Sequence, residues 1–230
     1  MSGNTITTTD NATGKQLELP ILYGTHGPAV ADIGRLYQAL GYFTYDPGFV
    51  STASCRSGIT FIDGEQGVLL YRGYPIEQLA QNSSFIEVAH LLLYGELPKQ
   101  HQLDGFTAIL RHHSMINKSL ERFYDGFYHD AHPMAIMTGV VGSLSAFYHD
   151  STDIHNPQHR ELAAQRMIAK MPTNAAASYK HSIGESFVPP RNSLSYSGNF
   201  LNMMFSVPSE PYIIDPLAEK ALDMLFILHA

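Results

Sequence analysis

Cysteine is almost absent from this chain. Cys55 stands alone, so no disulfide can form within the chain and a disulfide-stapled secreted scaffold is excluded. Charge is scarce as well. Asp, Glu, Lys and Arg make up 15% of the 230 residues against 44% hydrophobic, which describes an ordered globule that hides surface against another subunit or is a sparsely charged monomer. The formal charge of -7, with no basic run, argues against a nucleic-acid wrapper. No apolar run approaches membrane-spanning length, and the opening MSGNTITTTDNATG lacks the basic start and apolar core of a secretion signal. A cytoplasmic location is expected. HExxH, a nucleotide-type phosphate loop, CxxC and GxSxG are all missing.

What is present is organised around residues 57–80, SGITFIDGEQGVLLYRGYPIEQLA. Two short β-branched and aromatic runs flank Asp63-Gly64-Glu65-Gln66, and the Asp-Gly pair is a reversal signal, because glycine takes positive φ without a Cβ clash. A lone hairpin is marginal in water, so it should lean on something larger. Before it, residues 1–16 are polar. Leu17–Tyr23 suits a short strand that Pro20 would confine to an edge, and 29–40 suits a short helix ended by Gly41.

After the hairpin the pattern is helical. Pro75 opens a helix start, Ser84 and Glu87 form a capping box, and Gly95 ends the helix they begin. Further helices are expected over 101–116, 133–148, 160–169, 173–182 and 199–205. Met171-Pro172 separates the third from the fourth. The helix from Pro133 carries a small-residue track, Ala135, Gly139, Gly142 and Ala146, which points to close packing at the centre of a domain or of an interface. A last helix starts at Asp215-Pro216 and presents Leu217, Ala221, Leu222, Leu225 and Leu228 on one face. It stops inside an apolar run, so the chain is expected to continue. The fold class is therefore mainly α. An extension and connector (1–57) and a β-hairpin with a helix start (58–80) precede a large helical body (81–230).

Twelve histidines are many for this length. His129 and His132 flank Asp130, where a metal site competes with simple capping. Tyr148-His149-Asp150 suggests a charge-paired histidine, but helix neighbours do not face one another. Arg166 and Lys170 are four apart, so both cations leave one helix face, either as an anion clamp or as a solvated surface.

The motifs TYDPGFVSTASC (44–55), ITFIDGEQGVLLYRGYPIEQLA (59–80), HPMAIM (132–137), AFYHDSTD (146–153), KMPTNAA (170–176), PRNSLSYSGNFLNMMF (190–205) and ILHA (227–230) resemble the citrate synthase family. They look most like its bacterial type II branch, hexameric and NADH-sensitive, and like that branch's N-terminal portion. The resemblance implies an acyltransferase of the tricarboxylic acid cycle that joins acetyl-CoA to oxaloacetate, with no metal and no resident cofactor. It implies a homo-oligomer, a dimer further assembled into a hexamer. The catalytic histidine, aspartate and arginines of the family would lie beyond residue 230. His229 matches the first histidine of the family's LHxxH and becomes a candidate for the active-site wall.

The resemblance also implies an allosteric NADH site at His113, Met115, Tyr148, Arg166 and Lys170. His112 stands where the branch has arginine, and Val207 and Ser209 where it has threonine and cysteine. Since neutral histidine attracts phosphate less than arginine, weakened or lost NADH inhibition is expected. Two alternatives stay open: a 2-methylcitrate synthase using propionyl-CoA, and a non-catalytic helical oligomerisation module. The isolated chain is expected to be inactive.

Overall fold

The structure, a computed structural model, describes residues 4–230. It divides into two compact units, the first ending at Pro75 and the second running from Ile76 to Ala230. In the first unit β1 (Thr5–Thr9) pairs antiparallel with β2 (Gln16–Leu22), and β3 (Val30–Ala31) pairs with the other edge of β2. Pro20 thus sits in the middle strand of its sheet, not at an edge. It is tolerated because it faces Thr5 at the end of the β1 ladder, while its carbonyl still accepts from the Asp32 N–H at 2.8 Å. The helix expected over 29–40 shrinks to α1 (Leu36–Leu40), because Val30 and Ala31 pair with β2 instead; Gly41 ends it with φ 79°.

The hairpin forms β4 (Thr60–Asp63) and β5 (Val68–Tyr71), with Asp63 opposite Val68, and β6 (Tyr74–Pro75) adds a third strand. Its turn works differently from the expectation. The Asp63 carboxylate accepts the N–H groups of Glu65 and Gln66, and the positive φ falls on Gly67, not Gly64.

The second unit is helical: α2 (Ile76–Asn82), α3 (Phe85–Tyr94), α4 (Gln100–His113), α5 (Lys118–Tyr124), α6 (Pro133–Phe147), a 3-10 turn at His149–Ser151, α7 (Pro157–Ser182), α8 (Tyr196–Phe205) and α9 (Pro216–Leu228). The Ser84–Glu87 capping box, the left-handed Gly95 and the Asp215 cap form as read from the sequence. One apolar cluster joins Leu120 and Tyr124 of α5, Ile136, Val140 and Leu144 of α6, and Ala177 of α7; a second joins Ala89, Phe106, Leu110 and Ala169.

Two expectations are overturned. First, 160–169 and 173–182 are not separate helices, since α7 runs unbroken with Pro172 buried inside it. Proline brings no N–H to the carbonyl of Ile168, four residues back, which would strand a polar group in the interior. Tyr196 of α8 donates its hydroxyl to that carbonyl at 2.8 Å, and the helix passes through. Second, α9 packs on a different face from the one expected. Leu217, Leu225 and Leu228 are exposed, whereas Ile227 is fully buried and Phe226 lies against the rings of Phe85, Tyr196 and Phe200. The same side carries Glu219 and Asp223. Glu219 pairs with Ser195, the cap of α8, while Asp223 accepts from the Phe85 N–H at 2.9 Å and from Ser197 at 2.7 Å. Periodicity alone could not rank a leucine stripe below a stripe that caps two helices.

The α7 side chains facing inward are mostly polar, and they reach carbonyls on neighbouring elements. Lys170 donates to His113 and Met115, Thr173 to Ser114, Lys180 to Ser206 and His181 to Phe127, while the buried Tyr124 hydroxyl donates back to Asn174. In α6 the small-residue track is not uniform. A Cβ on Gly139 would meet the Phe127 ring at 3.0 Å, but one on Gly142 would meet nothing within 4 Å.

Two tests follow from this packing. Tyr196→Phe should cost about 1–3 kcal/mol in denaturant unfolding, and far less in a Pro172→Ala background, where the helix supplies its own donor. Equal costs in both backgrounds would remove the rescue. Gly142→Ala should raise stability by up to about 1 kcal/mol from helix propensity, while Gly139→Ala gains nothing or loses.

Candidate functional site

Arg166 and Lys170 leave α7 one turn apart and meet over a single aromatic ring. The Arg166 guanidinium carbon and the Lys170 ammonium each lie 4.8 Å from the centroid of Tyr148, which caps the C-terminal end of α6. His113 and Met115, at and just past the end of α4, complete the group. The residues named from the sequence are thus brought together, apart from His229.

Their charges are already engaged. Arg166 clasps Asp150 in a two-point pair, Nη1 to Oδ1 at 2.6 Å and Nη2 to Oδ2 at 3.0 Å, and Nη1 also donates to Ser151 Oγ at 2.8 Å. The guanidinium holds the Asp150 carboxyl down at about 2. Lys170 is 2% exposed and donates to the carbonyls of His113 at 2.6 Å and Met115 at 2.5 Å. A cation at the C-terminal end of α4 also suits the helix dipole. Burial first, and then the neighbouring Arg166, pull its ammonium down to about 8. Burial and the adjacent cations lower His113 below the usual histidine value, and burial raises the Tyr148 hydroxyl. This arrangement ties the end of α4 and the 3-10 turn to α7. Neither cation presents itself as the free anion clamp that their spacing alone allowed.

The histidine groups resolve into structural roles. His132 caps α6, its Nδ1 accepting from the Met134 N–H. His129 stacks on His181 at 4.5 Å between centroids and donates from Nδ1 to the His181 carbonyl at 2.6 Å. Asp150 pairs with Arg166 and not with its neighbour His149. Among the described residues no group of three or more His, Cys, Asp or Glu could hold a metal, and no helix is long and apolar enough to cross a membrane. His229 ends α9, exposed, with Nδ1 donating to the Leu225 carbonyl at 2.8 Å. Sequence reasoning missed Asp150 as the partner of Arg166, because 16 residues separate them and no periodicity links a turn to a distant helix.

Residues 48–230 match the family model described as the citrate synthase C-terminal domain. A solved citrate synthase from Pyrobaculum aerophilum matches over 100% of this chain and 51% of its own, with 29% identity and a TM-score of 0.69. One from Thermotoga maritima matches over 80% of this chain and 46% of its own, with 28% identity and a TM-score of 0.66. The chain therefore spans about half the length of these solved relatives. The comparisons correct several expectations. They relate the chain to archaeal and thermophilic-bacterial enzymes of type I, the dimeric group, and not to the type II branch. The expected NADH regulation and hexamer fall with that branch. The N-terminal reading is corrected too, the matching model being that of the C-terminal domain.

With its cations engaged by protein groups, the cluster should behave as a structural tie. Lys170 binds a proton less readily folded than unfolded, so the unfolded state holds more protons between about pH 8 and 10.5. Stability relative to Lys170→Met should therefore rise with pH across that window, read from denaturation midpoints. A flat difference would refute the burial of a charged ammonium. The tie belongs to a helical unit that lies wholly inside the matched residues 48–230: the chain belongs to the citrate synthase family.

Proposed function

We propose that the complete protein is a citrate synthase that condenses acetyl-CoA with oxaloacetate and water to give citrate and CoA, as a dimer. The family match over residues 48–230 carries this reading. The chemistry needs a base within hydrogen-bond reach of the acetyl methyl group, a donor at the developing enol oxygen, and arginines for the two carboxylates of oxaloacetate. Asp150 and Asp223 are engaged in the pairs described above, so neither stands ready as that base. We assign the proton-transferring groups to residues outside these 230. His229 is assigned to the wall of the active site, in keeping with its exposure at the end of α9.

The complete protein should release CoA thiol from acetyl-CoA only when oxaloacetate is present. Propionyl-CoA should react at least about tenfold less efficiently in kcat/KM, the scale one methylene allows. Equal or better use of propionyl-CoA would turn the assignment to 2-methylcitrate. The 230 residues alone should release no thiol, and turnover by them would overturn the placement of the catalytic groups.

A further inference from the structure

A cavity of about 160 Å³ lies within the helical unit, bounded by α4, α7, α8, the start of α3 and Asp223 of α9. It opens outward past Ser84, Ile86, Thr107 and Arg111, which also line the adjoining surface pocket. Its floor is apolar, formed by Leu110, Ala169, Pro172, Leu194 and Met203. A cavity of roughly 150 Å³ is large enough for a benzene ring.

The hydroxyls of Ser114, Thr173 and Tyr196 on its wall donate to backbone carbonyls. The carboxylate and amide oxygens and the Ser195 hydroxyl oxygen are engaged: Asp223 by the Phe85 N–H and Ser197, Ser195 Oγ by the Gly198 N–H, and Asn199 Oδ1 by the Arg191 N–H. Among the described residues the Arg111 guanidinium, the Thr107 hydroxyl and Asn199 Nδ2 have no protein partner. Arg111 and Asn199 Nδ2 can only donate, and the Thr107 hydroxyl can do so as well; Arg111 also supplies a full positive charge on a planar fork that matches a carboxylate. Arg111 and Thr107 stand at the mouth, where the Asp104 carboxylate accepts from Gln100, and Asn199 lies on the cavity wall; with the apolar lining they describe a ligand with an anionic head and a compact hydrocarbon body. We infer that this cavity binds a small organic monocarboxylate, held by Arg111 with Thr107 and Asn199 and buried against Leu110 and Met203. The inference uses only the helical unit and does not depend on the reaction proposed above.

Sodium benzoate is the probe, with benzamide as its neutral counterpart of the same shape. Calorimetric titration should give benzoate a Kd of about 1 mM or tighter and benzamide one at least tenfold weaker. Arg111→Met should abolish that difference, and Arg111→Lys should keep part of it. No binding of benzoate by about 10 mM, equal binding of the two probes, or unchanged benzoate affinity in Arg111→Met would each overturn the site. Should Arg111→Met fail to fold, the contrast between the two probes on the unaltered protein decides alone.

Discussion

One missing N–H sets the terms for the helical unit. Pro172 removes it from the middle of the longest helix, and the Tyr196 hydroxyl meets the orphaned Ile168 carbonyl from the next helix. The bond matters beyond its own strength because α7 is the element against which α4, α5, α6 and α8 pack. A break at Pro172 would divide the ties above it from those below it. Lys170, before the proline, and Thr173, directly after it, hold the end of α4. Lys180 and His181, two turns further on, hold the residue after α8 and the segment after α5.

These ties explain why a buried helix is so polar. Lys170, Thr173, Lys180 and His181 each reach a carbonyl at the end of a neighbouring helix or in a loop, where backbone groups have no helical partner. Left unmet in the interior, each would cost about 1–3 kcal/mol, so the polar atoms carried inward offset a penalty the loops would otherwise bear. Such bonds are directional in a way that apolar contact is not. They set the connecting segments in fixed positions, which a pile of leucines would leave free to slide.

The same logic marks what could be read from the sequence. The Ser84 capping box, the glycine ends at 41 and 95 and the Asp215 cap were legible because every partner lies within a few residues. The continuity of α7 was not, since its rescue comes from 28 residues away. Nor was the packed face of α9, decided by two carboxylates that cap other helices. β1 carries no apolar alternation and is a strand only because β2 pairs with it. At the candidate site, spacing correctly placed Arg166 and Lys170 on one face. It could not reveal that Asp150 and two backbone carbonyls already engage them.

That distinction between a cation and a free cation separates the two polar sites of the helical unit. Lys170 is buried and donates to two carbonyls, so adding an anion would mean taking those bonds away. Arg111 is exposed in the last turn of α4, beside a cavity whose carboxylate, Asp223, is already engaged. Both belong to the same stretch of backbone. Lys170 fixes the carbonyls of His113 and Met115, and Thr173 fixes that of Ser114, two to four residues after Arg111 along the chain. The engaged cation holds the end of the helix from which the unengaged one projects. A carboxylate gripped by Arg111 would therefore press on a backbone already anchored to α7, and rigidity at that point turns an exposed arginine into a defined contact.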